Sequence, residues 1–307
     1  MRMRSLTALV LSLALLAGCD DNLRTAGQLN ANPQVLAIEA DPPDVAPGDP
    51  VSLRALLHWP DGTPSLVWMV CIPNVGDSIS TCLANAFSAN EQPPLCSAAP
   101  GARFCIANLG RTMQYTVPLD AFPDDGERHT FFVNLLATDS VDGLEACGAV
   151  LAGGGPTENC LLAIKRVVVQ TGTVHNENPT VAFMSIGGAA VGPGDLVLDP
   201  AAAGQAVEDY RVKIGVQVDA TSIDELTPPE GSPGPVNLVA SWFSDCGTID
   251  AEKVFVPCSP ADGAVPATCD LVESTWRPKA SGTCHLHVVV RDGNGGTGWL
   301  SKIVEVR

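Results

Sequence analysis

The chain has 307 residues, of which 34 are acidic and 17 basic, for a formal net charge of −17. A chain this acidic is not built to bind nucleic acid through phosphates, which takes clustered Lys and Arg, and anionic lipid head groups repel it. The acids are scattered through loops such as Pro123-Asp124-Asp125-Gly126-Glu127, so their plain effect is solubility.

The first predicted element is a leader. Arg2 and Arg4 precede an uncharged run from Ser5 to Gly18. That run falls short of the roughly 20 apolar residues a membrane span needs, and it ends in small residues, as a signal peptide over residues 1–18 should. Leu16-Ala17-Gly18-Cys19 resembles the lipobox of bacterial lipoproteins. The resemblance implies cleavage before Cys19, a diacylglyceryl group on its thiol, and a second acylation point, for palmitate or a similar chain, on the new amino group. Each buried CH₂ contributes about 0.8 kcal/mol, so two or three chains make a stable anchor. The chain would then sit in the cell envelope, at the outer membrane or the periplasmic face of the inner membrane. Residues 19–32 are polar and without periodicity, as a lipidated tether would be.

Cysteine usage points to export independently. Setting Cys19 aside leaves an even number of the 11 cysteines, as a disulfide framework in an oxidising compartment requires. Cys71, Cys82, Cys96, Cys105, Cys147 and Cys160 fall in the first half, and Cys246, Cys258, Cys269 and Cys284 in the second. Bridges closed within each half are therefore expected. No Cys/His cluster has zinc spacing, so no metal or other cofactor is expected.

The length suggests about two domains. With 29 glycines and 25 prolines punctuating short, β-branched and often alternating segments, the expected fold is all-β, two tandem sandwiches over residues 33–174 and 175–307. In the first domain strands are predicted at 34–39, 51–58, 65–72, 113–117, 129–137 and 161–170. A Pro/Asn/Ser-rich insertion holding Cys82, Cys96 and Cys105 is expected to interrupt the sheet. A polar connector at Asn176 to Pro179 leads to strands at 180–186, 210–220, 236–243, 274–277, 284–291 and 300–306. Val212, Ile214, Val216 and Val218 alternate strictly with Lys213, Gly215, Gln217 and Asp219, which puts one face in the core and the other in solvent.

Val290-Arg291-Asp292-Gly293-Asn294-Gly295, at the end of a valine-rich strand and before the terminal one, is similar to the V-x-D-x-x-G hairpin of bacterial immunoglobulin-like and PKD-type domains. Ala240-Ser241-Trp242-Phe243-Ser244 resembles their core tryptophan strand, and Pro42 to Leu53 their first hairpin. The resemblance implies immunoglobulin-like sandwiches. On that scaffold Cys246–Cys284 would tie two strands across the sandwich, Cys258–Cys269 would close the loop between them, and Cys147–Cys160 would close the Gly153-Gly154-Gly155 loop. The pairing of Cys71, Cys82, Cys96 and Cys105 stays open.

Several residues look like chemistry. Gly293 to Gly298 satisfies G-x-G-x-x-G, but joins two strands instead of opening a helix, so a turn is expected rather than a dinucleotide site. His285 and His287 share a strand face without a visible third metal ligand. Asp292 and Asn294 lack the twelve-residue calcium-loop spacing. No nucleophile elbow or acid/base couple stands out, and no enzyme is expected. Sandwiches of this kind host many roles. The favoured expectation is a non-enzymatic envelope lipoprotein acting as spacer or protein-interaction module, held to the membrane by its lipid and bound to an envelope protein partner. The alternative is a ligand-binding lipoprotein, for example one that captures glycans, with Trp59, Trp276 and Trp299 as an exposed aromatic platform.

Overall fold

Period-two alternation becomes strand nearly everywhere it occurs. The computed structural model describes residues 29, 32–74, 93–99, 101–123, 126–139, 147, 160–170, 176–192, 196–220, 238–259 and 268–307. The leader, Cys19, Cys82 and the Gly153-Gly154-Gly155 loop lie outside them. In the first domain the strands are β1 (Gln34–Asp41), β2 (Asp44–Val45), β3 (Pro50–His58), β4 (Ser65–Cys71), β5 (Phe104–Leu109), β6 (Thr112–Thr116), β7 (His129–Thr138) and β8 (Cys160–Val169). The second domain has β9 (Val181–Ile186), β10 (Ala189–Ala190), β11 (Leu196–Leu198), β12 (Val212–Val218), β13 (Leu238–Ser244), β14 (Thr248–Ile249), β15 (Lys253–Val256), β16 (Cys258–Ser259), β17 (Thr268–Cys269), β18 (Val272–Arg277), β19 (Gly282–Arg291) and β20 (Thr297–Val306). None of the helices among the described residues is long and apolar enough to cross a membrane.

Both domains are sandwiches of one design. The first packs sheet β1-β3-β6 against β2-β8-β7-β4-β5, and the second packs β10-β9-β12-β18-β14 against β11-β20-β19-β13-β15. In each, a short strand early in the domain pairs parallel with the last strand, β2 with β8 and β11 with β20. The long first strand belongs to the opposite sheet. This strand order is immunoglobulin-like, and a buried tryptophan occupies the equivalent central strand of both domains, Trp68 on β4 and Trp242 on β13. Trp68, Leu53, Phe131 and Val133 fill the first core, and Trp242, Trp276, Ile214 and Leu286 the second.

Cys96–Cys105, Cys147–Cys160, Cys246–Cys284 and Cys258–Cys269 are bonded, and Cys71 is also in a disulfide. Two expectations need correction. Cys246–Cys284 does not cross the sandwich, because β13 and β19 are hydrogen-bonded neighbours in one sheet and Ser244 already faces Leu286. The bond therefore clamps the end of an adjacent pair. Nor does the segment holding Cys105 interrupt the sheet: β5 extends it beside β4, across a bulge between Trp68 and Met69. Cys96–Cys105 then fastens the Leu95 bridge onto Ile106.

Candidate functional site: the seam between the sandwiches

The two sandwiches lie side by side, and β1 packs against β20 of the second domain. Contacts follow β1 along its length. At its start Gln34 pairs with His58, and the charge of His58 is felt by His287 on β19. Further along, Arg291 Nη2 donates to Leu36 O at 2.7 Å, and Asn178 Nδ2 donates to Ala40 O at 2.7 Å. Upstream, Leu29 is buried and its N–H donates to Ser244 O at 2.8 Å. Ser244 ends β13, at the end of the second domain remote from the connector. Arg54 of β3 lies over the Trp299 ring at 4.3 Å, a cation–π contact between the domains.

Burial reports the same seam. Val289 is 0% and Leu36 4% exposed, yet neither belongs to the core cluster of its own sandwich. Val289 sits on the outer face of β19 opposite Ser241, which is also buried. An outer sheet face loses its solvent only when something covers it, and here the other domain does so.

A polar clasp closes the connector end. Asn176 donates its N–H to Asp44 Oδ1 and its Nδ2 to Asp292 Oδ2, both at 2.9 Å. Gln170 Nε2 donates to the other Asp44 oxygen. Asn178 also works in both directions, since its Oδ1 accepts the Thr297 N–H at 2.9 Å. Asp292 Oδ1 accepts the N–H groups of Asn294 at 2.7 Å and Gly296 at 2.9 Å. Two glycines let the connector through: a Cβ on Gly296 would come within 2.7 Å of Glu177 O, and one on Gly298 would overlap Pro179 O. Lys165, buried on β8, donates to Gly295 O and to Thr297 Oγ1. Burial is the main cause of its pKa falling to about 8.

The structure distributes the residues singled out by sequence as follows. Gly293 to Gly296 lie in the turn from β19 into β20, Thr297 and Gly298 already belong to β20, where they pair with Arg291 and Val290, and Asp292 and Asn294 build that turn. His285 and His287 do face one way, with near-parallel rings 6.4 Å apart, but each is engaged: His285 Nδ1 with Asp245 Oδ2 at 2.6 Å, and His287 Nδ1 with Ser301 Oγ at 2.8 Å. No group of three metal-ligating side chains occurs among the described residues. The tryptophan platform is a correction. Trp276 is fully buried in the second core, Trp59 packs against the first, and Trp299 is half-buried beneath Arg54. The three do not assemble into an exposed surface, because each ring serves a core or the seam.

Sequence reasoning passed over Lys165, Asp44, Asn176, Asn178 and Arg54. One signal was available: in the inward row Leu161, Ala163, Lys165, Val167, Val169 a lysine stands where a core residue belongs. Val288-Val289-Val290 was another, since an unbroken apolar run marks a strand covered on both faces.

No protein-family model matches this chain, and no curated protein matches it. Solved structures align with most of its length at low similarity. Fibronectin(III)-like modules of Clostridium thermocellum CbhA are 12% identical over 88% of this chain and 94% of theirs, with a TM-score of 0.23. The N-terminal Ig1-2 module of the Drosophila receptor protein tyrosine phosphatase DLAR is 12% identical over 90% and 99%, with a TM-score of 0.24. The Yersinia pseudotuberculosis adhesin InvE is 10% identical over 89% and 60%, with a TM-score of 0.20. The fold assignment rests on the sheet order of this chain itself.

Proposed function

We propose that this chain is a cell-envelope lipoprotein, anchored through Cys19, whose two sandwiches act together as one non-enzymatic protein-interaction module. The observation that carries the reading is the seam. Cation–π, apolar and hydrogen-bonded contacts run from Leu29 to Thr297 and make one wide body out of two domains. A spacer gains reach by stacking domains end to end, whereas this pair is joined along the length of β1. What the arrangement offers instead is a broad, fixed surface, which suits recognition of a protein partner. The glycan-capturing alternative loses support, because Trp59, Trp276 and Trp299 are not displayed together.

Two experiments test the two halves of the reading. In a bacterial host fed an alkyne fatty acid, the wild-type chain should take up label and fractionate with membranes, and Cys19→Ala should do neither; label retained by the variant would overturn the anchor. A photo-crosslinking residue placed at Leu109 or Leu119, which are 68% and 78% exposed, or at Phe255 or Ile303 should give a discrete adduct in intact cells from at least one position. Silence at all four would count against a protein partner.

A further inference from the structure

Along the seam the edges of β1 and β8 leave a cavity of about 350 Å³, closed on its far side by the turn of the second domain. Val35, Leu36, Ile38, Ala163 and Ile164 supply apolar wall, and three cations reach it: Lys165, Arg166 and Arg291. The charge pattern is unusual for a chain of net −17. Among the described residues none of the three joins an ion pair; the bridges found are Arg54–Glu39, Lys213–Glu273, Arg277–Asp250 and His285–Asp245. Arg291, half-buried, spends one donor on Leu36 O, and Lys165 spends its ammonium on Gly295 O and Thr297 Oγ1.

Lys165 also feels the two arginines. After burial, the charges of Arg291 and Arg166 are what oppose the protonated form of Lys165, while Asp292 and Glu39 favour it. Those two carboxylates are already committed, Asp292 to the side-chain amide of Asn176 and the backbone N–H groups of Asn294 and Gly296, and Glu39 to Arg54 at 2.7 Å. Like charges gathered at a partly desolvated cavity repel, at a cost in stability that a bound counter-charge would remove. An arginine guanidinium is moreover the group best matched to an oxyanion, with paired N–H donors in a rigid fork.

We propose that this seam cavity is an oxyanion-binding site, with Arg166 and Arg291 as the contact groups and Lys165 as the buried charge behind them. The ligand is of the size of phosphate, sulfate or a carboxylate, free or carried on a larger molecule. Because its walls come from both domains, the anion binds the closed pair and holds it closed. The site needs neither the lipid anchor nor a protein partner, so its failure would leave the proposed function standing.

The test uses the full chain in detergent, titrated with inorganic phosphate and, separately, with acetate, at ionic strength held constant with chloride. At least one of the two should bind saturably by calorimetry and raise the unfolding midpoint, and which one does so identifies the geometry the site prefers. Arg166→Gln, at an exposed position, removes one of the repelling charges, so it should raise the midpoint without anion, or at least not lower it, while weakening binding by tenfold or more. Arg291→Gln should weaken it as well, and Lys213→Gln, remote from the cavity, should not. Absence of saturable binding with both anions, or equal affinity in the wild type, Arg166→Gln and Arg291→Gln, would overturn the proposal.

Discussion

Acid should weaken this protein through His287. His287 is buried in the seam, and that burial, followed by the charge of neighbouring His285, pulls its pKa from 6.5 to about 4, with Asp245 opposing and His58 adding to the fall. The folded state therefore holds His287 neutral, whereas the unfolded chain takes up a proton as pH drops through 6.5. The contribution is fully retained above that value and is lost progressively between pH 6.5 and 4. A shift of this size is worth roughly 3 kcal/mol at its limit and about 2 kcal/mol at pH 5. For a unit of this length 1 kcal/mol moves the midpoint by roughly 2–4 °C, so His287 alone should lower it by about 4–8 °C between pH 7.5 and pH 5. The control is His287→Gln, which can still meet Ser301 but does not titrate. Thermal unfolding of both proteins at the two pH values isolates the histidine, because the carboxylates contribute equally to each. If the two lose stability in parallel, the buried neutral imidazole is not what the seam protects.

Three further outcomes follow from named contacts. Asn178→Ala removes partners from Ala40 O and the Thr297 N–H at once and should cost about 1–3 kcal/mol for each group left buried and unpaired; denaturant unfolding should then separate into two transitions instead of one. Gly215→Ala places a Cβ 2.5 Å from Ser185 Oγ and should destabilise the second domain by about 1–3 kcal/mol. The double variant with Ser185→Ala should recover part of that loss, and a strictly additive result would argue against the clash. Replacing both Cys246 and Cys284 by Ala should cost about 2–5 kcal/mol, measured by chemical denaturation without reductant, while the first domain keeps its protection from hydrogen exchange.

The principal strands were legible because alternation has a period of two and core rows show through it: Val51 and Leu53 on β3, and Val212 to Val218 on β12, fell where their spacing put them. β5 and β15 were not legible. β5 carries a bulge opposite it and ends in exposed Leu109, and β15 is an edge strand with exposed Lys253 and Phe255. Edge strands bury too little to leave a clean pattern. The seam was illegible for a different reason. Its side chains are an asparagine here and an arginine there, each ordinary at its own position, and only the arrangement of two domains brings Asn176 to Asp44 and Asp292, 132 and 116 residues away in sequence. Local periodicity carries no information about which outer face another domain will cover.

A pull on residue 29 would not travel through the protein in the order of its sequence. The first bond it loads is Leu29 to Ser244, in the second domain, before it reaches β1. From there the force runs along β1, whose ladder to β3 is loaded in shear, many bonds at once, while Leu36 and Ala40 pass part of it sideways to Arg291 and Asn178. Both sandwiches then share the strain in parallel. A molecule tugged at its amino end while gripped elsewhere would resist as a single braced block, with β1 as the member under tension.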